Sequence, residues 1–85
     1  MAKWLNSNAN SKVFIVGHTD MQGPLDRNVK LSQDRATSVI SALTKEHAIK
    51  ADRLTAEGVG PLAPVASNLD DAGRAKNRRV EMVLR

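Results

Sequence analysis

The chain has 85 residues, with 13 Lys and Arg against 9 Asp and Glu, a net charge of +4 and no cysteine. That length supports one small domain with a limited core, which neither disulfides nor thiolate-bound metal can supplement. The charge invites a polyanionic partner, but one Trp and one Phe, both near the N-terminus, provide no aromatic platform for stacking single-stranded nucleic acid. No apolar run approaches the roughly 20 residues that cross a bilayer, and the opening "MAKWLNSNANSK" lacks the apolar segment of a signal peptide.

Val13–Val16 is a short β-branched apolar run bounded by polar residues and Gly17, which reads as a buried strand. Met21–Lys30, with its Gly23-Pro24 pair, reads as a loop. Ser32 is a natural N-cap for a helix whose apolar face is Ala36, Val39, Ile40 and Leu43 and which ends near Glu46–His47. Ala51–Arg53 reads as a turn into a second strand, Leu54–Gly58. "GVGPLAPVASNLDDAG" has the glycine, proline and Asx content of a loop. In the last strand Val80, Met82 and Leu84 alternate with Arg79, Glu81, Val83 and Arg85. The resulting order β-α-β-β points to an α+β fold with helices on one face of a mixed sheet.

Asp20 and Arg35 are the residues that stand out chemically. With Ser32 as N-cap, Arg35 sits at the third helical position, where the positive end of the macrodipole disfavours a cation. Its guanidinium and the free amides of that turn would form a carboxylate receptor, and Asp20 could accept an ammonium group. An anion site beside a cation site suits a zwitterion; the same spacing also fits a plain ion pair, Asp20 with Arg35 or Arg35 with Asp34. Asn28 and Thr19 fit either bracing of the loop or ligand contact. His18 lacks the convergent ligands of a metal site and the nucleophile of a catalytic pair, since His47 lies at the far end of the helix. The glycines have no phosphate-loop spacing. The chain therefore reads as a binding module without catalysis or cofactor. In the C-terminal "NRRVEMVLR", Arg79 and Arg85 read as a solvated strand face, and Arg78 points the other way, towards the opening loop. A basic nucleic-acid-binding domain and a homo-oligomeric assembly module are the alternative readings.

Five stretches, "GHTDMQG", "NVKLSQDRA", "RLTAEGVG", "PVASN" and "GRAKNRRVEMVL", together resemble the OmpA-like peptidoglycan-binding domain of outer-membrane porins, peptidoglycan-associated lipoproteins and flagellar stator proteins. Each motif alone is weak, but five in one order from about Val13 to Leu84 are specific. The resemblance implies a β/α/β/α/β-β fold over residues 1–85, with 1–12 as the remnant of a preceding helix and linker. It implies non-covalent binding of peptidoglycan through diaminopimelate, with Asp20 taking the ammonium and Arg35 the carboxylate. Asn28, Thr19, Leu31 and Arg78 fall on positions near or lining that pocket. It places the domain on the periplasmic side of the envelope, associated with the outer membrane, in a parent anchored through a segment outside this chain, with no nucleic-acid partner. Relative to the family pattern the first strand and most of the first helix are missing, which fits either a fragment or a second copy pairing along the open sheet edge to complete the sheet.

Overall fold

The computed structural model describes residues 1–85. In chain order it contains helix α1 (Ala2–Ser7), strand β1 (Val13–Gly17), helix α2 (Leu25–Glu46), a 3-10 turn (Ala51–Arg53), strand β2 (Leu54–Gly58), helix α3 (Asp71–Asn77) and strand β3 (Val80–Leu84). β1 is central, parallel to β2 and antiparallel to β3. The parallel β1–β2 pair requires a crossover, and α2 supplies it.

Val13, Ile15 and Gly17 alternate as the buried positions of β1. Their partners in register are Leu54, Ala56 and Gly58 on β2, and Leu84, Met82 and Val80 on β3. Partners across a ladder share a face, and α1 and α2 pack on that side of the sheet, as the element order predicts. The core there joins Leu5 of α1, Val13 and Ile15, Ala36 and Leu43 of α2, Ile49 and Leu54. Arg53 ties α1 to this assembly by donating to the carbonyls of Leu5, Asn8 and Ser11 at 2.8–2.9 Å. β3 is an outer strand, and its end is not buried: Val83 and Leu84 are exposed although alternation marks Leu84 as inward.

Two glycines set how closely α2 approaches. Gly17 and Gly58 are register partners. A Cβ on Gly17 would overlap the Ser32 carbonyl, and one on Gly58 would fall on the Gln33 backbone nitrogen. The helix backbone rests on this bare patch of sheet.

The start of α2 differs from the sequence expectation. Leu25–Lys30 is helical rather than loop, and Pro24 is the N-cap, with extended backbone at φ −64° and ψ 144°. Asp26 in the first turn complements the macrodipole, and its Oδ1 accepts from the Arg27 N–H at 2.9 Å. The buried stripe of α2 runs Asn28, Ser32, Ala36, Leu43. Its first members are polar, so hydrophobic periodicity is silent over the first two turns. Ser32 is therefore no cap. Its hydroxyl, fully buried, accepts from Gly60 N–H at 2.9 Å and donates to the Val29 carbonyl at 2.7 Å.

The second difference is α3, which lies where the sequence reads as loop and makes the order from β1 onward β-α-β-α-β. Asp70 caps it, accepting from Gly73 N–H at 2.6 Å. Asp71 lies in the first turn, and Arg74 and Lys76 in the last, the polarity a helix favours. With seven residues and an internal glycine it offers no apolar period to detect.

Candidate functional site

Three segments converge where β1 ends. His18 N–H donates to the Arg79 carbonyl at 2.8 Å, and Thr19 N–H to the Gly60 carbonyl at 2.9 Å. These bonds fix the chain leaving β1 between the approach to β3 and the loop after β2. Asp20 follows, only 6% exposed. Its Oδ1 accepts from Gln22 N–H at 3.0 Å and its Oδ2 from Arg78 Nη1 at 2.8 Å. The Gln22 amide first, then the Arg78 guanidinium, hold the Asp20 carboxyl below its ordinary range, so it is ionised at neutral pH. A carboxylate has about four lone-pair sites, so two bonds leave room for an incoming ammonium.

Asn28, buried in the first turn of α2, donates from Nδ2 to the Gln22 carbonyl at 2.8 Å. It braces the loop that presents Asp20. Thr19 Oγ1 donates to the Asp20 carbonyl at 2.9 Å. Arg35 is half-buried, and its guanidinium makes no hydrogen bond or ion pair within the chain. Neither a bridge to Asp20 nor one to Asp34 forms: Asp20 pairs with Arg78, and Asp34 with Lys30.

Arg35 is the eleventh residue of α2 and so lies in its third turn. No free backbone N–H groups surround it, because those belong to the first turn at Leu25. The receptor of guanidinium plus helix amides expected from the sequence reduces to the guanidinium alone. All six residues singled out in the sequence (Thr19, Asp20, Asn28, Leu31, Arg35 and Arg78) line one cavity of about 240 Å³. Gln22, Gly23 and Arg27 line it too. Arg27 was invisible while the first turns of α2 read as loop; with the helix begun at Pro24, Arg27, Leu31 and Arg35 fall at i, i+4 and i+8 on one face.

The other C-terminal arginines do not form one basic face. Arg74 pairs with Asp71, and Arg85 lies 5.7 Å from the centre of the Phe14 ring. Arg79 departs from the solvated position expected of it: its side chain is 19% exposed and pairs with Glu81. His18, next to Thr19 in the chain, is buried, with both ring nitrogens lacking a hydrogen-bond partner. Glu81 Oε2 is 3.7 Å from its Nε2, too far for a hydrogen bond. Burial, then the charge of Arg79, lower its pKa, against a smaller opposing effect of Glu81.

A family model described as the OmpA family matches residues 1–78. The chain belongs to the OmpA family. Among its relatives, the probable lipoprotein YiaD of Escherichia coli K12 is 47% identical over 72 residues, which cover 85% of this chain and 32% of that protein. Outer membrane porin F of Pseudomonas fluorescens is 49% identical over 71 residues, covering 84% of this chain and 22% of the porin. This OmpA-family chain thus spans a third or less of the length of those two relatives. The crystal structure of the peptidoglycan-associated lipoprotein from Burkholderia pseudomallei superposes with a TM-score of 0.89 at 33% identity, covering 99% of this chain and 70% of that one. The cell wall anchor of the T6SS from Pseudomonas aeruginosa gives a TM-score of 0.81 at 39% identity, covering 98% of this chain and 59% of that one.

Proposed function

We propose that this domain binds peptidoglycan non-covalently through the diaminopimelate residue of the stem peptide, and so ties an outer-membrane or envelope protein to the cell wall. Asp20 takes the ammonium of the free amino-acid centre and Arg35 its carboxylate. Leu31 covers the aliphatic chain between the two centres of the diamino acid. Arg78 keeps Asp20 ionised and aimed into the cavity, while Thr19 and Asn28 hold the loop. No bond is made or broken. In the parent protein the domain faces the periplasm, beside the outer membrane.

The observation that carries this reading is the half-buried Arg35 guanidinium without a partner, beside an ionised carboxylate in the same cavity. Such a group makes no polar contact within the fold, and a carboxylate from outside completes it. The resemblance of the chain to proteins named for association with peptidoglycan or the cell wall supports the same assignment.

Calorimetric titration with a diaminopimelate-containing muropeptide and with its lysine counterpart tests it. Lysine lacks the second carboxylate, so Arg35 goes unpaired and affinity falls by about 100-fold, a loss of about 3 kcal/mol from charge-assisted hydrogen bonds. Equal affinity for the two ligands would overturn the diaminopimelate assignment, and binding to neither would overturn peptidoglycan binding.

A further inference from the structure

Resting on the peptidoglycan reading, we infer that Arg27 reads a second anionic group of the same ligand, the free carboxylate next along the stem peptide from the diamino acid. The cavity that holds Asp20 and Arg35 does not end at Leu31. A second, larger hollow of about 470 Å³ lies over the first three turns of α2, and it shares Arg27 and Leu31 with the first. The two form one groove, and a ligand gripped at Arg35 has a path along the helix.

Of the charged side chains in that path, one pair is already matched. Lys30 faces Asp34 at 3.4 Å. Asp26 accepts the Arg27 backbone N–H. The Arg27 side chain, exposed at the junction of the two hollows, has no hydrogen bond or ion pair within the chain. It is the second unpaired guanidinium on the face that carries Arg35. The flanking carboxylates of Asp26 and Asp34 disfavour a diffuse polyanion and leave one local site for a single carboxylate.

The spacing decides which carboxylate. Eight residues of helix separate Arg27 from Arg35, about 12 Å at 1.5 Å per residue. In a diaminopimelate stem peptide the residue before the diamino acid is a γ-linked glutamate whose α-carboxylate is either free or amidated. From the terminal zwitterionic carbon to that carboxylate is about ten bonds, or about 12 Å at roughly 1.25 Å of extended reach per bond. A free carboxylate there meets Arg27 as two parallel charge-assisted hydrogen bonds; an amide offers one neutral acceptor and no charge.

The test titrates wild-type chain, Arg27→Gln, Arg35→Gln and Lys50→Gln with two muropeptides that differ only in that free or amidated carboxylate. Wild type should prefer the free carboxylate by about tenfold. Arg27→Gln should bind both ligands at the affinity wild type shows for the amidated one. Lys50→Gln, beyond the far end of α2, lowers the net charge equally and should keep the preference. Arg35→Gln should lose both ligands by about 100-fold. Equal binding of the two ligands by wild type, a preference that survives Arg27→Gln, or one that Lys50→Gln also abolishes overturns the role of Arg27. Unchanged binding by Arg35→Gln instead overturns the clamp on which it rests.

Discussion

Substituting Ser32 by alanine and by glycine decides where α2 begins, and with it what surrounds Arg35. In the structure Ser32 is the eighth residue of the helix, buried, with its Oγ accepting the Gly60 N–H at 2.9 Å. Alanine leaves that amide buried without an acceptor, a penalty of about 1–3 kcal/mol. Alanine's better helix propensity returns about 0.5 kcal/mol, so the net loss is about 1–2 kcal/mol. A domain of this size loses about 4–8 °C per kcal/mol, so Tm should fall by about 5–15 °C. Glycine loses the same hydrogen bond and adds about 1 kcal/mol of mid-helix penalty. Ser32→Gly should therefore melt below Ser32→Ala by about another 4–8 °C. A serine at an N-cap gives the opposite order, because glycine there costs only a few tenths of a kcal/mol against about 1 for alanine. Thermal unfolding followed by far-ultraviolet circular dichroism separates the cases. Glycine melting above alanine would refute the interior placement and return free helix amides to Arg35. An unchanged Tm for Ser32→Ala would refute the latch to Gly60.

Arg35→Gln removes a group the fold does not use, so Tm should stay within about 0.5 kcal/mol of wild type while muropeptide affinity falls by about 100-fold; a large loss of stability would show that Arg35 is structural. Asn77→Ala should lower urea stability by about 3 kcal/mol, because the wholly buried amide accepts from Val65 and Ala66 N–H and donates to Ala66 O and Asn68 Oδ1; an unchanged midpoint would show that the 63–70 loop holds without it. Acidification should act in two windows. The folded His18 pKa is lowered, so only the unfolded chain takes up that proton as pH falls below about 6.5, and stability declines from there to the folded pKa. The Asp20 pKa is also lowered, so its contribution is intact above about 4 and is lost as pH falls further, through the folded value. Urea midpoints measured from pH 7.5 to 3 should show both slopes, and His18→Leu should flatten the first alone; persistence of that slope in the variant would assign it to another group.

The regular strands were legible because a strand's evidence is local. The apolar run Val13–Val16 marks the first strand, alternation marks Val80 and Met82 as inward, and Leu54–Gly58 has the same bounds in sequence and structure. The candidate site was legible in a weaker sense. The sequence puts Arg35, a cation, in a helix's first turn, whereas the structure places it in the third. Arg35 is distinctive in the structure for another reason: its guanidinium has no polar partner in the fold.

What the sequence by itself determined is the set of groups: an acid after the first strand, arginines on the helix and before the last strand, and glycines where the sheet must be bare. Tertiary structure alone decided the pairing. Asp20 and Arg78 stand 58 positions apart, and they meet at 2.8 Å only because β3 lies antiparallel beside β1. Ser32 and Gly60 likewise meet because Gly17 and Gly58 let α2 settle onto the sheet. That contact buries polar residues in the first turns of α2, erases the apolar period there and hides Arg27. Hydrophobic patterning records which residues leave water; it carries no record of which polar group a buried one will meet.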